Sequence, residues 1–213
     1  MKQLPKKSLP AFTMLELVFV IVVLGILAAL ALQRIDRDIR QEAADNILSA
    51  IRYTQHLALI DNRIDPNDQY WQKTLWKIEF TSGSNSYYTV SSDKNKDGIV
   101  QKTETAIDPS NNKYLYHLNL NPVQNDESPN VALGIKYGID TITGSGGCAN
   151  TKEIAFGING RVFNGINTAT NDYSTYMSNE CNLTFEFSGG QNSLIITILP
   201  ETGYAYIDGQ EDS

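Results

Sequence analysis

The sequence predicts an α+β fold in which one long N-terminal helix is followed by an antiparallel, β-rich domain. Two patterns carry this prediction. Apolar and small residues recur every three or four positions as far as Ile60, which is the spacing of one face of an α-helix. From Leu75 onward, short runs that alternate apolar and polar residues are separated by Gly, Asn and Ser, which is typical of strands and their turns.

The predicted helix begins with an apolar run from Phe12 to Leu32 in which only Glu16 is ionisable. The 21 residues of this run match a bilayer core of about 30 Å at about 1.5 Å per residue, so we expect 12–32 to span a membrane. Three lysines precede the run. They favour a cytoplasmic N-terminus and export of the rest of the chain.

The helical pattern continues beyond the apolar run. No Pro or Gly occurs from Ala31 to Ile60, and the first strong helix breakers are Asp61-Asn62 and Asp65-Pro66. We therefore predict one helix over 12–60, about 70 Å long, whose second half lies against a sheet. Residues 61–213 are then an exported β-rich domain, in which the Gly-rich run 144–147 is expected to be a loop.

The segment from Ser8 to Leu24 resembles the N-terminus of type IV prepilins and of type II secretion pseudopilins. In that family a basic leader ends at a small residue, Phe or Met follows, and Glu stands at the fifth position of the processed chain. The corresponding residues here are Ala11, Phe12 and Glu16. The family prefers Gly where this chain has Ala11. A second resemblance, to the closing strands of H-type minor pseudopilins and related minor pilins, covers 154–207.

The resemblance implies a pilin-like fold and a structural, non-enzymatic function. It implies that a prepilin peptidase cuts between Ala11 and Phe12 and so removes the leader 1–11. Phe12 then becomes the first residue and is N-methylated, and Glu16 acts in filament assembly. The expected function is a minor pilin or pseudopilin of a type IV pilus or type II secretion pseudopilus. Its expected partners are other pilin subunits, the prepilin peptidase and the bacterial inner membrane, with the C-terminal domain in the periplasm.

One loop matches a metal-binding pattern at every required position. The twelve residues from Asp93 to Glu104 fit D-x-[DN]-x-[DN]-G-x5-E, the calcium loop of EF-hand proteins. Calcium prefers oxygen ligands, and Gly98 permits the sharp turn that the loop needs. The alternative is an ordinary polar turn, since Asp, Asn and Gly are common turn formers. The predicted calcium ligands are Asp93, Asn95, Asp97, Ile99, Gln101 and Glu104.

The chain has two cysteines, Cys148 and Cys181, both in the predicted exported part. A pair outside the cytoplasm most often forms a disulfide, and two separate buried thiols are the alternative. Glu180 to Thr184 also matches an acidic-extended glycosylation sequon at Asn182.

The net charge and the motifs of the chain argue against some classes of function. The formal net charge of −7 argues against direct nucleic-acid binding, which needs clustered Lys and Arg. The sequence contains no recognisable catalytic motif, which argues against a third hypothesis, an anchored exported hydrolase. The main alternative to a filament subunit is a membrane-anchored, calcium-dependent adhesin or receptor that does not polymerise.

Overall fold

Among the residues that the computed structural model describes, which are 13–149, 151–168, 173–190 and 192–210, the chain forms an α+β fold with two four-stranded antiparallel sheets. Within these ranges the side chains of 29–38, 168 and 173 are not described. The α-helices are α1 (Met14–Ile60) and α2 (Leu133–Tyr137). The strands are β1 (Trp76–Thr81), β2 (Tyr87–Ser91), β3 (Ile139–Gly146), β4 (Glu153–Phe156), β5 (Val162–Phe163), β6 (Cys181–Phe187), β7 (Leu194–Ile198) and β8 (Ala205–Ile207). Short 3₁₀ helices lie at Trp71–Thr74, Lys102–Glu104, Pro129–Val131, Ile166–Thr168 and Tyr173–Thr175.

The first half of α1 differs from the sequence prediction. No helix in the described part of the chain is long and apolar enough to cross a membrane. This finding overturns the predicted transmembrane segment 12–32, the pilin-like fold built on it, and the single-pass inner-membrane location with a periplasmic domain.

The chain divides into two units, Met1–Ile39 and Arg40–Ser213. The boundary falls inside α1, so the second unit contains the C-terminal part of this helix together with both sheets. In the second unit α1 buries one face: Ala43, Ile47 and Ile51, spaced four residues apart, are completely buried. Gln55 of the same helix donates a hydrogen bond to the carbonyl oxygen of Thr202 at 2.7 Å. The helical period predicted this buried face.

The two sheets have the strand orders β2-β1-β4-β5 and β3-β6-β7-β8 within the described residues. In the first sheet Ile78 lies opposite Val90 on one side and Ile154 on the other, and all three are completely buried. Phe80 of the first sheet meets Phe185 of the second edge to face, with ring centroids 5.3 Å apart. Aromatic pairs of this geometry stabilise a core beyond the area they bury.

The Gly-rich run before Cys148 lies in a strand, which corrects the loop expected there. Residues of β3 pair with β6 as far as Gly146, which lies opposite Cys181. A Cβ atom on Gly144 would lie 2.3 Å from the carbonyl oxygen of Cys148, and one on Gly146 would lie 2.2 Å from that of Glu180. The glycines are therefore required for the close approach of neighbouring backbone segments, and they do not mark a flexible connection.

We expect Ile47→Ala to lower the free energy of unfolding by about 2 to 5 kcal/mol, because it removes a completely buried side chain and leaves a cavity. Urea unfolding of the full-length protein measures this change. Leu59→Ala on the same helix is the matched control, since Leu59 is 46% exposed and should change stability by about 0.5 kcal/mol or less. Equal losses for the two variants would contradict the buried face assigned to α1.

Candidate functional site

The predicted calcium loop connects β2 to the 3₁₀ helix Lys102–Glu104. Its two ends are held together, because the amide of Ser92 donates to the carbonyl oxygen of Glu104 at 3.0 Å and Ser91 forms an isolated bridge with Thr105. A strand therefore leads into the loop and a single 3₁₀ turn closes it, where an EF-hand has two α-helices. Only the loop itself corresponds to the EF-hand pattern.

Asp93, the first predicted ligand, is completely buried. Its carboxylate accepts hydrogen bonds from the amide of Lys96 at 2.7 Å and from the amide of Gly98 at 2.9 Å. These two residues have positive φ values of 63° and 82°, a backbone conformation that turns their amides back toward the start of the loop. Gly98 is the natural residue at such a position, because other side chains adopt a positive φ at a cost.

Glu104, the last predicted ligand, is 7% exposed. Its Oε1 accepts from the amides of Lys94 at 3.1 Å and Asn95 at 3.2 Å, and its Oε2 accepts from the amide of Gln101 at 3.1 Å. The amides of residues 94 and 95 donate to Glu104 and that of residue 96 donates to Asp93, so consecutive backbone amides fix both carboxylates. Amide dipoles directed at a buried carboxylate compensate for the water it has lost.

The remaining predicted side-chain ligands lie on the exposed side of the loop. Asn95 Oδ1 accepts from the amide of Asp97 at 3.0 Å, and Asp97 Oδ1 accepts from the amide of Ile99 at 2.7 Å. Gln101 is also exposed. In the described residues no group of three or more His, Cys, Asp or Glu side chains is placed to hold a metal ion. The expected convergence of the Asp93, Asp97 and Glu104 carboxylates is therefore not seen, and the ligand set stays a prediction.

Two lysines of the loop direct their charge away from its acids. The ammonium of Lys96 pairs with Asp68, and this hydrogen bond lowers the pKa of the Asp68 carboxyl. The ammonium of Lys102 lies 3.0 Å from Asp126 and 3.2 Å from Glu127. Because both lysines are paired with acids outside the loop, they leave its carboxylates available to a cation.

Glu16 lies in the first turn of α1 and forms a capping box with Thr13. Its Oε2 accepts from the amide of Thr13 at 3.0 Å and from the hydroxyl of Thr13 at 2.9 Å, while the amide of Glu16 donates to that hydroxyl at 3.3 Å. These bonds lower the pKa of Glu16, the amide bond most strongly. The T-x-x-E spacing signals this motif in the sequence, although a capping role for Glu16 was not predicted. Ala11 and Phe12 lie outside the described residues.

Cys148 and Cys181 form a disulfide, which confirms the predicted pairing. It joins the turn after β3 to the first residue of β6 across 33 residues of chain. Both cysteines are completely buried. Closing a loop of this length stabilises a fold by about 3 to 4 kcal/mol in the chain-entropy model. Asn182, the sequon residue, accepts a hydrogen bond on its side-chain oxygen from the hydroxyl of Thr197 at 2.7 Å.

We expect Asp93→Ala to lower the free energy of unfolding by about 1 to 3 kcal/mol in EDTA, because the amides of Lys96 and Gly98 lose their acceptor. Asp97→Ala is the matched control, since this carboxylate is exposed and its loss should change stability by about 0.5 kcal/mol or less. Urea unfolding measures both. If Asp93→Ala is no more destabilising than Asp97→Ala, the loop is not organised by its first residue.

Comparison of the chain with protein-family models, with curated proteins and with solved structures found no match. The resemblance of its N-terminal residues to prepilins therefore stays a prediction.

Proposed function

We propose that this protein is a structural, non-enzymatic subunit of a filament of the type IV pilus or type II secretion class, with a C-terminal domain stabilised by Ca²⁺. The proposal requires no membrane-spanning helix. One observation carries it: the N-terminal part of α1 exposes a continuous set of large apolar side chains. The N-terminal sequence motif gives this surface its expected partners, which are the same segments of neighbouring subunits.

The exposed apolar segment of α1 extends from Met14 to Leu27. Its large apolar side chains are all at least 36% exposed, from Val23 at 36% to Met14 at 86%. Soluble monomers rarely expose an apolar surface of this extent, and such surfaces mark interaction sites. Burial stabilises by about 25 cal/mol per Å² of apolar area. Packing between the helices of several subunits would bury all sides of this segment, as a filament core requires.

Glu16 can take part in such packing without losing its role in the capping box. Both hydrogen bonds from Thr13 use Oε2, so Oε1 can accept one from the amino group that processing would create on Phe12 of a neighbouring subunit. A charge buried between subunits is strongly destabilising unless it is paired. Pairing Glu16 with that amino group would therefore fix the axial register of the helices.

We expect Glu16→Gln to be produced and folded normally but to be excluded from filaments, because glutamine keeps an oxygen for Thr13 and loses the charge. Thr13→Ala is the matched control: it removes the two hydrogen bonds of the Thr13 hydroxyl and keeps both the carboxylate and the bond from the residue 13 amide, so it should still assemble. The measurement is the amount of each variant in sheared filaments relative to whole cells. Normal incorporation of Glu16→Gln would refute the pairing, and exclusion of both variants would reduce the role of Glu16 to helix capping.

The calcium part of the proposal rests on the loop from Asp93 to Glu104. Asp93 and Glu104 are held in position by backbone amides, which leaves unused lone pairs on their carboxylate oxygens. The side-chain oxygens of Asn95 and Asp97 and the carbonyl of Ile99 complete the pattern. Calcium takes about six to eight such oxygens in a flexible shell, whereas magnesium requires a smaller octahedron.

We expect calcium to raise the melting temperature of the full-length protein, and EDTA to reverse the rise. At a concentration one hundred times the dissociation constant, binding to the folded form adds about 2.7 kcal/mol, which is about 5 to 10 °C for a chain of this size. Asp97→Ala should abolish the rise while keeping the stability in EDTA. Glu201→Gln removes one exposed acid that lies outside the loop and pairs with Arg161, so it should keep the full response.

An unchanged melting temperature with calcium and with EDTA would show that the loop is an ordinary turn. Magnesium at the same concentration tests selectivity, and a response as large as that to calcium would contradict the assigned geometry. Neither result would affect the test with Glu16→Gln, because the two parts of the proposal concern different units of the chain.

A second candidate function is a calcium-dependent binding domain that does not polymerise. It is favoured by a cavity of about 370 Å³, a size within the range of about 300 to 1,000 Å³ that is typical of ligand pockets. Its lining includes Tyr53, Tyr88 and Tyr137 together with the acids Glu42 and Asp45. Absence of the wild-type protein from sheared filaments would favour this function.

A further inference from the structure

A lysine is completely enclosed on one face of the first sheet. Lys77 is 1% exposed, although it stands between two apolar residues in a strand that alternates. Its ammonium nitrogen lies 2.8 Å from Oε2 of Glu153 and contacts Oδ1 of Asn167. Glu153 is 4% exposed. An amine, a carboxyl group and a carboxamide thus meet inside the domain.

This group lies beside an apolar cluster, and the carboxylate of Glu79 lies 3.9 Å from the ammonium nitrogen of Lys77. Lys77 lies directly opposite Ala155 in the sheet, and Ala155 belongs to a buried cluster with Trp71, Leu75, Phe163 and Ile166. The carboxyl group of Glu153 also accepts a hydrogen bond from the amide of Ile166 at 2.8 Å. The 3₁₀ helix Ile166–Thr168, which carries Asn167, covers this face.

A simple ion pair is a poor explanation for this arrangement. Removing an ammonium and a carboxylate from water has a cost that their attraction often fails to offset. Burial raises the pKa of the neighbouring Glu79 carboxyl, which lies on the same face of the strand. A neutral lysine is a nucleophile, and a carboxylic acid within about 2.6 to 3.2 Å can serve as its proton partner.

We propose that Lys77 and Asn167 are joined by an intramolecular isopeptide bond, which forms after folding with Glu153 as the catalytic acid and base. The juxtaposition of the three side chains in an apolar interior carries the proposal. It is independent of the calcium loop and of filament assembly.

The reaction balances without any added reagent. The ammonium of Lys77 gives one proton to the carboxylate of Glu153, and the resulting amine attacks Cγ of Asn167 as the carbonyl electrons move to Oδ1. When the carbonyl re-forms, the bond from Cγ to Nδ2 breaks. Glu153 carries one proton from Nζ to Nδ2, and Nδ2 leaves as ammonia. The ammonia then takes the remaining proton from Glu153 and becomes ammonium, so Glu153 ends as a carboxylate. One carbon–nitrogen bond forms, one breaks, and nothing is oxidised or reduced.

The bond would connect segments that are distant in sequence. Lys77 and Asn167 are separated by 90 positions, and the link would tie the connection between β5 and β6 to the central strand β1. Proximity enforced by the fold replaces a collision between free groups, which is how a weak electrophile such as a carboxamide can react.

Mass spectrometry of the full-length, disulfide-reduced protein tests the proposal. We expect its intact mass to be lower than the sequence mass by one ammonia molecule, after allowance for terminal processing. Digestion should yield one branched peptide that contains both Lys77 and Asn167, with no cleavage at Lys77 by trypsin. A full sequence mass, or separate unmodified peptides carrying the two residues, would overturn the proposal. Both results come from the wild-type protein and do not depend on whether a variant folds.

Matched variants exclude other sources of the mass loss. The pairs Asn159-Gly160 and Asn164-Gly165 can also lose ammonia by cyclisation, but that loss would persist in Lys77→Arg, whose guanidinium keeps the charge and does not attack. We expect Lys77→Arg and Glu153→Gln to have the full mass. Glu79→Gln, which changes a half-exposed neighbour, should keep the loss. Persistence of the loss in Lys77→Arg would refute the assigned bond.

Discussion

Carboxylates buried away from solvent hold the irregular parts of this domain in place. Asp93, Glu104, Asp108, Glu127 and Glu153 are each at most 7% exposed. An ionised carboxylate in an apolar interior is costly unless several donors reach it. Each of these residues is accordingly met by backbone amides, hydroxyls or cationic side chains, and the segments that supply those donors become fixed. The long stretch between β2 and β3, which lacks strands among its described residues, contains four of these five carboxylates.

Asp108 shows how much structure one such group can fix. Its two oxygens accept from the amide and hydroxyl of Ser110, and from side chains of Asn111, Ser128 and Asn130. Ordering each residue of a loop costs about 1 to 2 kcal/mol in backbone entropy. A single carboxylate that gathers donors from two stretches of chain offsets part of that cost for both. These hydrogen bonds lower the pKa of Asp108 against the opposing effect of its burial, which is the larger single influence.

Patterns that depend on spacing within one segment can be predicted from the sequence, whereas contacts between residues far apart in the chain cannot. The helical period of Ile47 and Ile51 and the Asp93 to Glu104 motif can be read directly, because each depends on spacing within one segment. The burial of Lys77 could not be predicted, since its partners Glu153 and Asn167 lie 76 and 90 positions away. An alternating strand makes such a lysine look solvent-facing, and only the covering 3₁₀ helix encloses it.

Strand β3 was missed for a related reason. Glycine lowers the intrinsic preference for a strand, so the run around Gly144 and Gly146 indicates a loop. What overrides this preference is close backbone packing: the carbonyl oxygen of Cys148 in the following turn lies against Gly144, and that of Glu180 before β6 lies against Gly146. The membrane span was expected from the length and composition of the apolar run alone, whereas no helix in the described residues is long and apolar enough to cross a membrane.

The distribution of charge connects the acidic composition to the calcium loop. A net charge of −7 would by itself disfavour one more cluster of acids, yet the chain places Asp93, Asp97 and Glu104 within twelve residues. Lysines of the same loop could neutralise these acids, but Lys96 and Lys102 form ion pairs with acids outside the loop. Asp93 and Glu104 receive backbone amides instead, which compensate for burial and bring no full positive charge. A loop built in this way keeps its negative charge while it stays ordered, which is the electrostatic condition that the proposed calcium binding requires.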